Sequence, residues 1–127
     1  MKFTIYGELT DLNAYLKALN SYRLVGSKIK REETERVAYE IKFAKIPAPT
    51  KYPIKIIYRW YSKDNRKDID NVSFSKKFLN DGMVMAGLIP NDSRKFISGF
   101  SDEFYIDKNN PRTEVEIYES NPTKIEK

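Results

Sequence analysis

Residues 52–62 read Tyr-Pro-Ile-Lys-Ile-Ile-Tyr-Arg-Trp-Tyr-Ser, and their alternation decides the fold. In an extended chain Ile54, Ile56, Tyr58 and Trp60 share one face. Lys55, Ile57, Arg59, Tyr61 and, just beyond, Lys63 share the other. Branched and aromatic residues suit a strand with one face buried. Upstream, Ile46-Pro47-Ala48-Pro49-Thr50 carries two prolines that cannot continue a helix, so a linker precedes the strand. Downstream, residues 64–67 form a polar turn, and a helix is predicted from about Asp70 to Gly87. Pro90-Asn91-Asp92-Ser93 makes another turn. Two further strands are predicted near 95–106 and 113–118, around a Lys108-Asn109-Asn110-Pro111 turn.

The N-terminal part adds a short strand over 2–7, around Phe3 and Ile5. Asp11 is placed to cap a helix running to about Tyr22, with Leu12, Tyr15, Leu16 and Leu19 on one side. Gly26-Ser27 is expected to break the chain. Ser27 would then cap a second helix through about Ala44, with Ile29, Val37, Ile41 and Ala44 as its apolar stripe. The order β-α-α-β-α-β-β predicts an α+β fold: one domain over residues 1–120, a small mixed sheet packed with about three helices, and a polar tail at 121–127.

The composition bounds the chemistry. The 127 residues contain no Cys and no His. That excludes thiol nucleophiles, Ser-His triads, histidine acid–base catalysis and a conventional zinc site. No apolar run reaches the roughly 20 residues of a membrane span, and residues 1–7 lack the apolar core of a signal peptide, so a cytoplasmic protein is expected. Net charge is +5, and between Lys51 and Lys67 stand six bases against one acid. Lys55, Arg59, Lys63, Arg66 and Lys67 read either as a phosphate-contacting surface, with Tyr61 to stack on a base, or as the wet face of a half-buried strand.

Directly after this basic stretch comes Asp68-Ile69-Asp70-Asn71. Carboxylates at i and i+2 of an extended segment point the same way and can share one divalent ion. The plainer reading is an Asp or Asn capping a helix. In an unbroken helix Asp70, Lys77 and Asp81 would form one ridge beside the apolar Phe74, Phe78 and Met85, with Lys76 turned to solvent. Asp92 matters only if the fold, or a second subunit, returns it to Asp68 and Asp70. An EF-hand frame starting at Asp64 fails, because Ile69 stands where the loop needs glycine and Ser75 where it needs glutamate.

Asp68-Ile69-Asp70-Asn71, Lys77, Asp81-Gly82 and Gly87-Leu88-Ile89-Pro90-Asn91-Asp92 together resemble the RusA-type Holliday junction resolvases, in particular the phage and prophage branch. The similarity is specific over about residues 54–117. It implies a Mg²⁺-dependent endonuclease, with Mn²⁺ as a possible substitute, that resolves branched DNA by paired symmetric nicks in recombination and repair within a bacterial host cell. By the same resemblance Asp68, Asp70 and Asp92 would be catalytic and hold the metal. Lys77 would be the catalytic lysine, with Lys76 as its rival, and Asn71 and Asp81 would support them. The basic strand and the second helix would grip the junction arms of a homodimer, with no small-molecule cofactor. Two other classes compete: a non-catalytic nucleic-acid-binding module with structural carboxylates, and a phage protein that binds another protein through its aromatic surface.

Overall fold

The computed structural model describes residues 1–119, so the expected polar tail lies outside the described residues. The elements are β1 (Lys2–Tyr6), α1 (Leu12–Ser21), α2 (Arg23–Ala44), β2 (Ile54–Ser62), α3 (Ile69–Ser73), α4 (Lys76–Met85), β3 (Ile97–Ile106) and β4 (Arg112–Glu119). The fold is α+β, as expected. The four strands form one mixed sheet in the order β1-β4-β2-β3. β4 runs antiparallel to both β1 and β2, while β2 and β3 are parallel and joined by the α3–α4 crossover.

The period-2 reading of β2 holds along its length. Ile54, Ile56, Tyr58 and Trp60 are buried and meet Phe3 and Ile5 of β1, and Val115 and Ile117 of β4, in one core. Val37 and Ile41 of α2 and Leu79 and Met83 of α4 cover that face. α2 and α4 cross closely at Gly82, where a Cβ would lie 2.4 Å from Val37 Cγ1. The opposite sheet face carries the charged and aromatic partners of the alternation. Cross-strand register lines up Tyr6, Arg112, Tyr61 and Tyr105 across all four strands. The Arg112 guanidinium lies 3.7 Å from the Tyr61 ring centre, and Tyr61 stacks on Tyr105 at 4.8 Å.

Three local expectations need correction. Gly26-Ser27 does not break the chain. α2 starts at Arg23, the hinge is the extended Tyr22, and Gly26 is buried where Leu19 of α1 fills the space a side chain would take. A glycine within a helix costs only about 1 kcal/mol, which such an approach can offset. The helix expected from Asp70 to Gly87 is two helices, jointed at Phe74–Ser75. There Ser75, Lys77 and Phe78 donate to carbonyls three residues back, a tighter winding of three residues per turn. The buried Ser75 hydroxyl donates to the Thr10 carbonyl at 2.6 Å and fixes the joint to the β1–α1 loop. The third correction, to Lys76, follows from that joint.

Candidate functional site

The tighter winding turns the start of α4 relative to α3, and the two lysines exchange roles. Lys76, expected in solvent, points inward with a side chain only 16% exposed, and its Nζ lies 2.7 Å from Asp102 Oδ2. That ammonium also sits 3.7 Å from the Phe100 ring centre and 5.1 Å from that of Tyr58. Trp60 Nε1–H donates to the other Asp102 oxygen at 2.8 Å. Tyr58 donates its hydroxyl hydrogen to Asn80 Oδ1. Burial pushes the Tyr58 phenol well above its usual range, with the negative charges of Asp102 and Asp92 adding to it. Lys77 is instead 54% exposed and meets Asp81 one turn on at 3.5 Å. The expected Lys77–Asp81 partnership therefore exists, but on the outer surface.

Asp68 is the residue before α3 in extended conformation, and its side chain makes no capping hydrogen bond. Asp70 lies in the first turn, where one carboxylate oxygen accepts only the neighbouring Asn71 N–H. Asn71 Oδ1 accepts the Asn13 N–H at 2.9 Å, tying α3 to α1. Both aspartates are exposed. They stand beyond the carboxyl ends of the parallel strands β2 and β3, the side on which such strand pairs bind ligands.

Asp92 is elsewhere. With Asn91 it lines a groove between α2 and α4, shared with Asp81, Val84, Met85, Lys30 and Arg31. The groove sits against Asp81, Val84 and Met85 in the second half of α4, whereas Asp68 and Asp70 flank the start of α3. Among the described residues no group of three or more acidic side chains is gathered closely enough to hold a metal ion. Asp68 is extended but Asp70 is already inside α3, so the shared extended segment expected for the two carboxylates is not formed, and one chain does not gather Asp92 with them.

The same three residues are among seven described carboxylates that meet no Lys or Arg, the others being Glu32, Glu35 and Glu40 of α2 and Glu119. Among the described residues outside α2, each Asp or Glu side chain meets a Lys or Arg except Asp68, Asp70, Asp92 and Glu119. Glu119 is held by the Thr50 and Lys51 N–H groups.

The expected nucleic-acid surface divides. Arg59 is clamped between Glu103 at 3.0 Å and Glu116 at 2.8 Å on the open sheet face. Lys67 bridges Glu8 at 3.3 Å and Asp11 at 2.8 Å. Those two are occupied by carboxylates; Lys55, Lys63 and Arg66 are exposed, Arg66 with a loose 3.7 Å contact to Asp64. Asp102, Lys30 and Arg31 are the additions that sequence reading did not single out. The run Arg23, Lys28, Lys30, Arg31, with no acid among residues 23–31, was the available signal for the last two. Asp102 had none, because its role depends on the pairing of β3 with β2. No known protein-family model matches the chain, and no curated protein matches it. Among the described residues no helix is long and apolar enough to cross a membrane.

Proposed function

We propose that this chain is a metal-dependent endonuclease of branched DNA, similar to the RusA-type resolvases, that works as a homodimer. The observation that carries the reading is the charge pairing. Ten of the seventeen described carboxylates meet a Lys or Arg, whereas the aspartates of the Asp68-Ile69-Asp70-Asn71 motif and Asp92 are left without a cation. Their oxygens suit a hard ion such as Mg²⁺, which accepts a few carboxylates and keeps several waters. Asp68 and Asp70 would hold it from one chain. Asp92, which one chain does not gather with them, would complete the set from a second copy, an arrangement a twofold axis supplies twice.

When bound, the ion would supply an activated water and neutralise charge on the phosphate. The chain's own residues divide the remaining work. Asp68 and Asp70 would hold the ion. Lys77, exposed on α4, would give up its 3.5 Å contact with Asp81 to neutralise phosphate charge. Lys76, paired with Asp102 and packed on Phe100, instead positions α4 against β3. Lys63 and Arg66, with Lys30 and Arg31 at the other end, contact backbone phosphates, so affinity falls steeply with salt.

The test is cleavage of a synthetic four-way junction, with Mg²⁺ against EDTA and wild type against Asp70→Asn. The expected result is paired nicks that need Mg²⁺ and vanish in the variant while junction binding survives. Tight, Mg²⁺-independent binding without nicks would overturn the enzyme reading and leave a junction-binding module.

A further inference from the structure

A second cavity lies between α3 and β3, next to the end of β2. Its volume is about 250 Å³, and its lining sets the apolar Ile69, Val72, Phe104 and Ile106 beside the polar Asn65 and Lys67. Ile69 and Val72 come from α3 and form one apolar wall. Phe104 and Ile106, two residues apart on β3, form the other. Ile69 is 62% exposed and Ile106 57% exposed, in a chain that is 32% charged. Two large aliphatic side chains thus face one opening with nothing between them, a recurrent feature of ligand clefts. The turn holding Asp64 and Asn65 closes one end. Asp64 is engaged by the Arg66 N–H at 3.0 Å. The Asn65 side chain has no hydrogen-bond partner among the described residues, which leaves a donor and an acceptor side by side at the rim.

We infer that this slot takes one unstacked nucleobase of the strand held at Asp68 and Asp70, so that it reads the sequence next to the cut. The inference rests on the nuclease reading for its position and on the cavity for its chemistry. An opening between two apolar walls suits a planar ring better than a branched or charged group. At about 30 Å³ per water the cavity holds roughly eight waters, room for one heterocycle and not for a stacked pair. The Asn65 amide can meet the donor–acceptor edge of a base as asparagine does with adenine. Ile69, which lines the slot, is the residue between Asp68 and Asp70 in sequence, so the slot opens on the same turn of chain that carries the two carboxylates. Lys63 and Arg66, the latter with a side chain 86% exposed, flank the turn for neighbouring phosphates. Unpaired bases at the branch point supply such a ligand with little unstacking cost.

The probes are the four deoxynucleoside monophosphates, titrated into the full chain without metal and followed by backbone and side-chain amide NMR shifts. The expected result is saturable shifts confined to Asn65, Ile69 and residues 104–106, strongest for one base. Ile106→Glu and Asn65→Ala, both at exposed positions that leave the core intact, should each weaken them at least about tenfold. No shifts with any of the four, or shifts elsewhere that ignore both variants, would overturn the inference. A parallel junction-cleavage assay separates the two readings. Nucleotide shifts in the slot without junction cleavage would sink the nuclease and keep the base site, and cleavage without slot shifts would do the reverse.

Discussion

Lys76 of α4 and Asp102 of β3 form a 2.7 Å ion pair at the helix-covered edge of the sheet, with side chains 16% and 21% exposed. The pair spans the β2–α3–α4–β3 crossover and ties its last helix to its last strand. Its two halves are unequal. Asp102 also satisfies the Trp60 N–H, whereas Lys76 needs only Asp102 and two rings. Asp102→Ala strands both a half-buried ammonium and an indole N–H, and should cost about 1–3 kcal/mol. Lys76→Met keeps the stem packed on Phe100 and should cost less than Asp102→Ala. Urea unfolding of the two variants checks the order, and a larger loss for Lys76→Met would contradict it.

The close crossing of α2 and α4 makes a second stability prediction. A methyl group at position 82 would meet Val37 Cγ1 at 2.4 Å and the Thr34 carbonyl oxygen at 3.2 Å, and the latter is backbone that cannot swing away. Gly82→Ala, normally favourable in a helix, should therefore destabilise by about 1–3 kcal/mol. Thermal unfolding would show a lowered midpoint. An unchanged or raised one would mean the helices separate freely.

Arg59 was expected on the nucleic-acid surface, and its two carboxylate partners argue for a structural role. The Arg59 hydrogen bond holds the Glu116 carboxyl below its usual range, and Tyr105 and then Arg59 do the same for Glu103. A carboxyl with a lowered folded pKa contributes stability that is present above its unfolded value and lost as pH falls through the folded one. Stability should thus decline on acidification below about pH 4.5, the ordinary glutamate range. Arg59→Met should flatten that acid limb in denaturation series between pH 3 and 6 (roughly the window set by the unfolded glutamate value). The same variant should leave the salt dependence of DNA binding unchanged. Lys63→Gln and Arg66→Gln should each lower its slope by about one.

These contrasts show where the sequence was legible. The two faces of β2 follow from period-2 alternation, a purely local property, and the structure keeps each residue on the expected side. The Asp11 cap is equally local, and its Oδ1 accepts the Ala14 N–H at 2.8 Å. The direction of Lys76 is not a local property: it depends on the joint at Ser75, which rests on a hydrogen bond to Thr10, distant in sequence. Gly26 was misread because only the return of Leu19 explains a glycine there. The aspartates were found from their motif, but a motif carries no information on which end of a helix pair a later residue returns to. That is how Asp92 came to be grouped with Asp68 and Asp70 without being beside them.

The separation of Asp92 from Asp68 and Asp70 gives the sharpest prediction. If each site takes its aspartate pair from one chain and Asp92 from the other, Asp70→Asn and Asp92→Asn homodimers are both inactive. Mixing them gives a heterodimer in which one site collects both substitutions and the other collects none. Half of the dimers formed by free exchange at equal concentrations are of this kind, so nicking should return to roughly a quarter of the wild-type site number. The nicks should fall on one strand of the junction instead of symmetrically on two. Sites built within a single chain would leave each subunit of the heterodimer defective, and mixing would restore nothing. Both aspartates are exposed and unpaired in one chain, so neither substitution should shift unfolding by more than about 0.5 kcal/mol, and lost activity then reads on the site itself. Cleavage of a four-way junction labelled on each strand in turn, with the two variants alone and premixed, distinguishes the arrangements directly.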